Sequence, residues 1–169
     1  YGRLIDDIKN ISLLIEAYSK SDMMKENIKL KILGEGEDKI KLQEKVKALN
    51  ISDHVEFLSY TTEPFQLVSK AFFVVLTSRY EGFPMVLVES LSLGVPVISV
   101  DCESGPNEII SHEENGLLVE NYNAEAFAKA MNRMVHDKNL YLQCKSNAAR
   151  SVEQFSVEEI SKQWSQLLG

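Results

Sequence analysis

Cysteine is scarce in this chain of 169 residues, and the two that it has, Cys102 and Cys144, lie far apart without CxxC spacing. The sequence therefore offers neither a disulfide framework nor a pair of zinc thiolates, and a reducing cytoplasm is the expected compartment. The three histidines, His54, His112 and His136, are equally scattered and lack the spacing of metal ligands. We expect no metal site from these residues.

An excess of positive charge and long apolar runs are also lacking. The net charge of -7 at pH 7 and the pI of about 5.0 oppose a surface for duplex nucleic acid, which is normally basic. No apolar run approaches the ~18 residues of a membrane span, and no signal peptide is visible. The chain begins at Tyr1 in mid-pattern and without an initiator methionine. We therefore expect a piece of a longer protein, whose other part would carry any membrane attachment.

Length and composition favour one domain over residues 1–169, because 44% of the residues are hydrophobic and a domain typically has ~100–200 residues. Short apolar runs alternate with helical patterns, which is typical of βαβ units and a parallel sheet. The predicted strands are 29–33, 55–58, 72–76, 96–100 and a short one at 117–119. Residues 72–76 show no polar alternation, which indicates a central strand covered on both faces.

Helices are predicted between these strands and after them. The helical spacing between the strands runs through Ile8, Ile11, Ile15 and Tyr18, and then through Leu42, Val46 and Leu49. The C-terminal third has Phe127, Met131 and Val135, then Leu140, Cys144 and Ala148, then Val157, Ile160, Trp164 and Leu167. Ser156 and Glu159 form a capping box for the last helix. The prediction is an α/β, Rossmann-like parallel sheet flanked by helices, with a helical tail that packs back on it.

The stretch from Ser78 to Glu89 carries the strongest functional signal. It places Glu81 on a glycine loop and Glu89 inside an apolar helix, which starts near Pro84 and stops at Gly94. A carboxylate among apolar residues needs a polar partner or a cleft, and a ligand rich in hydroxyl groups would supply one.

The loop that contains Gly82 follows a predicted strand, where parallel sheets bind ligands. Gly82 would let the backbone approach a ligand closely, and the N–H groups of Phe83, Met85 and Val86 are available as donors. Taken alone, this segment is equally consistent with a plain turn and a solvated Glu81.

Two cations and a second glycine turn complete the candidate site. Arg3 and Lys9 bracket the end of the first strand and the start of the first helix, where they could neutralise a diphosphate or simply be solvated. Gly34 opens a Gly-Glu-Gly turn after a strand, but Lys39 stands where a dinucleotide fingerprint has its third glycine. This turn is as consistent with a purely structural role as with contact to the edge of a ligand.

Two other kinds of chemistry find little support in the sequence. Asp101 and Glu103 have the acid-x-acid pattern of metal-dependent sugar transferases, but the Gly105-Pro106 step that follows makes a polar loop the better interpretation. No serine or cysteine lies in a nucleophile elbow, so covalent hydrolysis is not indicated.

These motifs resemble the donor-binding C-terminal half of the family 4 (group 1) retaining glycosyltransferases, which have two-domain GT-B architecture. The resemblance covers nearly the whole chain. It rests on Gly2-Arg3-Leu4 with Lys9-Asn10, on Leu33-Gly34-Glu35-Gly36, on the segment 54–58, and on Ser104-Gly105-Pro106-Asn107-Glu108-Ile109-Ile110. Its most specific part is the pair Glu81 and Glu89 with seven residues between them, followed by Leu93-Gly94-Val95-Pro96-Val97.

The resemblance implies a role for each site residue. Arg3, Lys9 and Glu81 would act in catalysis, the two cations on the donor diphosphate and Glu81 on the donor sugar. Glu89 would bind the ribose hydroxyls, Gly34 would lie at the second turn, and base contacts would lie near Tyr60 and Thr61, where the usual family glycine is Ser59. The backbone contacts would come from Gly82, Phe83, Pro84, Met85 and Val86. Pro84 has no N–H, so Met85 and Val86 would donate instead.

The expected function is donor binding in a metal-independent hexosyltransferase that extends a surface polysaccharide or a lipid-linked glycan. The donor would be a nucleotide-diphosphate sugar, UDP-linked by family likeness, with no cofactor. The acceptor would bind through an N-terminal domain absent from this chain, so the chain alone would be inactive or nearly so. The protein would be cytoplasmic. The full-length form could also lie at the inner face of the membrane as a peripheral protein.

Two alternatives share the same sequence features. One is a sugar-nucleotide epimerase or a phosphorylase of similar architecture, and the other is a nucleotide-binding α/β module without catalysis.

Overall fold

The computed structural model describes residues 1–120 and 122–168, which form five strands and nine α-helices. The strands are β1 (Leu30–Leu33), β2 (Val55–Leu58), β3 (Val74–Leu76), β4 (Val97–Val100) and β5 (Gly116–Val119). The helices are α1 (Asp6–Lys9), α2 (Ile11–Lys20), α3 (Lys39–Ala48), α4 (Pro64–Val68), α5 (Met85–Ser92), α6 (Pro106–Ile109), α7 (Ala124–His136), α8 (Lys138–Ser151) and α9 (Val157–Leu168). Short 3₁₀ helices at Ser52–His54 and Glu153–Phe155 precede β2 and α9.

All strand pairs are parallel, as predicted, but the described strands form two sheets. β1 pairs with β2, while β3, β4 and β5 form a second sheet in that order. The prediction that residues 72–76 are a central strand is not met: β3 covers 74–76 and lies at the edge of its sheet, with Val74 and Val75 only half-buried. β4 is central instead, and all four of its residues are buried.

The core lies between the strands and the helices α2 and α7. Ile15, Tyr18 and Phe127 are at most 1% exposed, and the hydroxyl of Tyr18 donates to the carbonyl of Ile28 at 2.8 Å. The predicted helical pattern is thus confirmed for α2, but Ile8 is 43% exposed. The reason is that Asn10 takes a left-handed conformation, with a φ of 49°, which separates α1 from α2 and turns Ile8 out of the buried stripe.

Other predicted helical contacts have mixed outcomes. Leu42 and Val46 are buried in α3, whereas Leu49 follows the last turn of that helix and is 37% exposed. The C-terminal pattern correctly predicts α7 and α8, whose residues Phe127, Met131, Leu140, Cys144 and Ala148 are buried.

The tail is helical, as predicted, and its cap is present: Ser156 Oγ accepts a hydrogen bond from the N–H of Glu159 at 3.3 Å. However, α9 does not pack back on the sheet. Val157, Trp164 and Leu167 are 77%, 60% and 78% exposed, because α7 and α8 supply the apolar residues that fill the core, and α9 packs mainly on the Glu153–Phe155 turn.

Among the helices of residues 1–120 and 122–168, none combines the length and apolar character that a bilayer crossing requires.

A close approach of two backbone segments joins the start of the chain to the end of β1. The N–H of Gly2 donates to the carbonyl of Leu33 at 3.0 Å, and the N–H of Leu4 donates to that of Glu35 at 2.9 Å. A Cβ atom at Gly34 would collide with the carbonyl oxygen of Gly2, and one at Gly36 would collide with the backbone of Leu4. Glycine is therefore required at both positions for this contact.

We expect the substitution Gly34→Ala to lower the free energy of unfolding by about 3 kcal/mol or more, because it adds a backbone collision to the strain of a positive φ. Gly94→Ala is the matched control. Gly94 also has a positive φ, of 73°, but a Cβ atom there would meet nothing within 4 Å beyond its chain neighbours, so only the conformational cost of about 1 kcal/mol applies. Urea denaturation measures both, and equal losses would show that the approach to Gly2 is not a constraint.

Candidate functional site

The loop after β3 leads into α5 at the carboxyl ends of the strands. α5 begins at Met85, one residue after Pro84, and the carbonyl of Pro84 accepts from the N–H of Leu87 at 2.9 Å. The helix ends at Ser92, and Gly94, the predicted stop, follows two residues later with a φ of 73°. The N–H groups of Phe83, Met85 and Val86 have no hydrogen-bond acceptor within the described residues. They are therefore free to bind an anion at a helix N-terminus.

Lys9 and Glu81, predicted from distant parts of the sequence, contact each other directly. Lys9 Nζ lies 2.7 Å from Glu81 Oε1, and the two side chains are 32% and 12% exposed. Lys9 is placed by the last turn of α1, whose end is fixed by a hydrogen bond from Thr77 Oγ1 to the carbonyl of Lys9 at 3.1 Å. The pair thus joins the end of α1 to the glycine loop.

The glycine loop is held from its other side by the residues after β4. Ser104 Oγ donates to the carbonyl of Glu81 at 2.5 Å. Gly105 has a φ of 89°, and a Cβ atom there would collide with the ring of Pro84. This contact gives the Ser104-Gly105 segment of the resemblance a physical role, because it fixes the loop that carries Glu81 and Gly82.

Glu89 projects from α5 toward the first residue of the chain. The hydroxyl of Tyr1 donates to the Glu89 carboxylate in a short hydrogen bond. Burial and this bond raise the pKa of the Tyr1 hydroxyl well above its usual range, so the phenol stays protonated and remains a donor. The contact is of the kind predicted for ribose hydroxyls on Glu89, and Tyr1 was not identified from the sequence. The need of Glu89 for a polar partner was the only signal that could have led to it.

The backbone contact of residues 2–4 with the turn at 34–36, described above, places Arg3 and Gly34 near Tyr1 and its partner Glu89. Arg3 is exposed, and its side chain makes no hydrogen bond or ion pair within residues 1–120 and 122–168. Its guanidinium is therefore free to bind an anionic ligand. Gly34 has a structural role, since it makes room for Gly2, and its predicted place beside a ligand stays a prediction.

The predicted base-contacting residues lie on the loop after β2. Tyr60 is 75% exposed, and Thr61 Oγ1 accepts from the N–H of Glu63 at 3.1 Å. This loop shares a sheet edge with the Gly34 turn, because the N–H of Gly34 donates to the carbonyl of Leu58 at 3.0 Å. The residues after β1 and β2 therefore lie at one edge, and no hydrogen bond within the described residues joins Tyr60 to Glu81 or Glu89.

Arg79 is a further residue of the site that sequence reasoning did not identify. Its guanidinium donates to Asn10 Oδ1 at 3.0 Å and lies 5.0 Å from the ring centre of Tyr122. Its backbone N–H donates to the carbonyl of Ile8 at 2.8 Å. Arg79 thus supports the left-handed turn at Asn10 that places Lys9. Its position two residues before Glu81 was visible in the sequence, but its partner was not.

The described residues contain no group of three or more His, Cys, Asp and Glu side chains arranged to hold a metal ion. Asp101 and Glu103 are exposed, and Cys102 between them is buried. Burial raises the pKa of the Cys102 thiol, which keeps it protonated rather than a thiolate ligand.

Together, the fold and the site define a parallel α/β domain with cations, carboxylates and free backbone N–H groups at the carboxyl ends of its strands. The family model of the group 1 glycosyl transferases matches residues 1–151. The chain belongs to this family.

Individual relatives agree with this assignment. The chain is 35% identical over 161 residues to the N-acetylgalactosamine-N,N'-diacetylbacillosaminyl-diphospho-undecaprenol 4-alpha-N-acetylgalactosaminyltransferase of Campylobacter jejuni, and the match covers 95% of this chain and 43% of the relative. The chain therefore spans less than half the length of that relative.

Solved structures show the same fold. TarM of S. aureus, crystallised as a mutant in complex with fondaparinux, alpha-GlcNAc-glycerol and UDP, matches with a TM-score of 0.89 and 30% identity, over 98% of this chain and 34% of that chain. The C-terminal domain of a group 1 glycosyl transferase, LpcC of Francisella tularensis, matches in fold with a TM-score of 0.82 and 23% identity, over 93% of this chain and 84% of that one. The fold is thus that of GT-B glycosyltransferases, as the sequence resemblance implied.

We expect Arg79→Met to lower the free energy of unfolding by about 1–2 kcal/mol and to speed amide exchange around Asn10, because it removes a charged hydrogen bond and a cation–π contact. Arg150→Met is the matched control, since Arg150 is exposed and has no ion pair in the described part of the chain. Hydrogen exchange followed by mass spectrometry measures the local effect. Unchanged exchange near Asn10 would show that Arg79 does not support that turn.

Proposed function

We propose that this chain is the donor-binding half of a retaining, metal-independent hexosyltransferase that uses a UDP-linked sugar. The observation that carries the proposal is the Lys9–Glu81 contact at 2.7 Å, next to the exposed Arg3 and the free N–H groups at the start of α5. Cations and oriented N–H groups at one point suit a diphosphate, whose charge must be stabilised when the sugar leaves.

The ion pair suggests that Lys9 and Glu81 would take different roles when the donor binds. A diphosphate carries more negative charge than one carboxylate and would draw Lys9 toward itself. Glu81 would then be free to accept hydrogen bonds from the sugar hydroxyls. Arg3 and the N–H groups of Met85 and Val86 would complete the diphosphate site, and Glu89 would accept from the ribose hydroxyls.

Transfer would proceed on the face of the sugar from which the diphosphate departs, through an oxocarbenium-like state, because no nucleophilic side chain is indicated for a covalent intermediate. In this scheme Arg3 and Lys9 stabilise the departing diphosphate, so the chemistry requires no metal. Glu81 positions the sugar and is not a nucleophile.

The acceptor would be a growing surface polysaccharide or a lipid-linked glycan. The Campylobacter relative is named for a diphospho-undecaprenol-linked acceptor, which supports this class. The acceptor would bind an N-terminal domain outside this chain, since transfer requires both reactants to be held together. We expect this chain alone to transfer sugar very slowly or not at all, and the complete protein to act in the cytoplasm or at the inner membrane face.

We expect this chain to bind UDP in calorimetric titrations that contain EDTA, in preference to GDP, ADP and NAD. Arg3→Ala and Lys9→Ala should each weaken UDP binding about 10-fold or more, because a charged hydrogen bond contributes ~1.5–3 kcal/mol. Lys47→Ala is the control, since Lys47 is exposed and far along the chain on α3.

The variant Glu81→Gln, measured in the same titrations, distinguishes contacts to the donor sugar from contacts to the nucleotide. It should weaken binding of a UDP-hexose while leaving UDP binding unchanged or slightly stronger, because Lys9 is released to the diphosphate. Equal effects on both ligands would contradict the assigned role of Glu81. Product analysis on the complete protein then distinguishes the alternatives: an epimerase would yield an isomerised donor, a phosphorylase a sugar phosphate, and a non-catalytic module no product.

We expect Tyr1→Phe to strengthen UDP binding about 5-fold, because the Tyr1 hydroxyl occupies the Glu89 carboxylate and one hydrogen bond contributes about 1 kcal/mol. Tyr80→Phe is the matched control, since Tyr80 is 66% exposed and makes no side-chain hydrogen bond within the described residues. Weaker binding by Tyr1→Phe would instead place the Tyr1 hydroxyl on the ligand.

A further inference from the structure

The side chain of Phe83, on the glycine loop, packs against a residue from near the end of the chain. The rings of Phe83 and Phe155 meet edge to face, with their centres 5.1 Å apart and their planes at 69°. Aromatic pairs prefer this arrangement, because the positive edge of one ring faces the negative face of the other. The contact joins the glycine loop to the short segment between α8 and α9.

The middle of the glycine loop depends on this contact. Hydrogen bonds to the carboxylate and the carbonyl of Glu81 hold one end of the loop, and the ring of Pro84, which lies against Gly105, holds the other. Between these points lies open space, since a Cβ atom at Gly82 would meet nothing within 4 Å beyond its chain neighbours. In the described part of the chain, the aromatic contact of Phe83 is thus what supports the middle of the loop.

Phe155 is a firm support, because both its backbone and its ring are fixed. Its N–H donates to the carbonyl of Val152 at 3.0 Å, and Val152 is itself 5% exposed. The Phe155 ring also packs against the buried apolar cluster that contains Leu87 and Val88 of α5. The residue that supports the loop is therefore anchored on the helix into which the loop leads.

We propose that Phe155 is a positioning residue of the donor site, which fixes the Phe83 ring and thereby the orientation of Glu81 toward the donor sugar. This inference rests on the proposed function and adds to it a residue that touches no part of the donor. Because the first turn of α5 is held by the helix itself, the effect of Phe155 falls on the sugar end of the donor. The diphosphate, assigned to the N–H groups at the start of α5, is affected much less.

The test uses two variants of Phe155 and one control. Phe155→Leu keeps an apolar side chain but removes the ring, whereas Phe155→Tyr keeps the ring. Tyr141→Leu is the matched control, because Tyr141 also pairs with a phenylalanine, Phe72, at 4.1 Å between ring centres. Tyr141 packs on the core around α2 and α7 instead. Urea denaturation shows how much stability each variant loses.

The first measurement is the backbone order parameter of Gly82 and Phe83, obtained from nitrogen-15 relaxation of the chain without ligand. We expect values of about 0.85, typical of rigid backbone, in the unsubstituted chain, in Phe155→Tyr and in Tyr141→Leu. In Phe155→Leu they should fall below about 0.6, the range of flexible backbone. Unchanged order parameters in Phe155→Leu would overturn the proposal.

The second measurement is calorimetric titration with UDP, UDP-glucose, UDP-galactose and the two corresponding UDP-N-acetylhexosamines. Phe155→Leu should weaken binding of the tightest UDP-sugar about 5-fold and binding of UDP by less than about 2-fold. Phe155→Tyr should restore the unsubstituted ratio, and Tyr141→Leu should leave both affinities unchanged. Equal weakening of UDP and the UDP-sugar, or the same effect from Tyr141→Leu, would overturn the proposal, because a general loss of stability would then explain the result.

The two measurements distinguish failure of this inference from failure of the proposed function. An unsubstituted chain that binds no UDP would contradict the proposed function. The order parameters need no ligand, so they test the support of the loop in either case. Loss of order in Phe155→Leu that is absent from Phe155→Tyr supports the role of the Phe155 ring, and equal loss in both variants contradicts it.

Discussion

The contact between residues 2–4 and the glycine turn at 34–36 is the constraint on which the site depends. It is an approach of backbone to backbone that leaves no room for a side chain at Gly34 or Gly36. The contact fixes the backbone position from which the Arg3 side chain extends and the position at which Tyr1 contacts Glu89. It also directs the chain into α1, and therefore places Lys9. A substitution at either glycine would displace all of these groups together.

A second set of contacts places the glycine loop relative to that segment. Thr77, Arg79 and Ser104 bind backbone or side-chain atoms of the α1 turn and of Glu81 at 2.5–3.1 Å. Thr77 and Arg79 hold the α1 turn, and Ser104 holds the glycine loop, so each bond fixes one part of the site. The result is that a cation from the first ten residues and a carboxylate from the middle of the chain lie 2.7 Å apart before any ligand binds. The ion pair keeps both side chains at the site, and donor binding as proposed would exchange it for contacts of Lys9 with the diphosphate and of Glu81 with the sugar.

Much of the fold could be predicted because apolar periodicity reports burial. The five strands follow from spacing alone, within one or two residues at their ends, and the helices α2, α3, α7 and α8 follow from helical spacing, which did not give their ends. Where the predictions failed, a backbone effect or a missing neighbour was decisive. Asn10 adopts a left-handed conformation, with a φ of 49°, and turns Ile8 outward, which periodicity does not report. The apolar face of α9 predicted a helix correctly, but periodicity does not say which surface covers that face.

The sequence by itself determined the family, the parallel α/β class and the identity of the charged residues, because motif spacing and residue chemistry are properties of the chain alone. Only the tertiary structure decided which of those residues meet. The Lys9–Glu81 pair, the Tyr1–Glu89 bond and the support of Asn10 by Arg79 each join residues about 70 to 90 positions apart, and no local pattern encodes such distances. The structure also divided the sheet at β3, because hydrogen bonding between strands requires a neighbour in space and not only an apolar sequence.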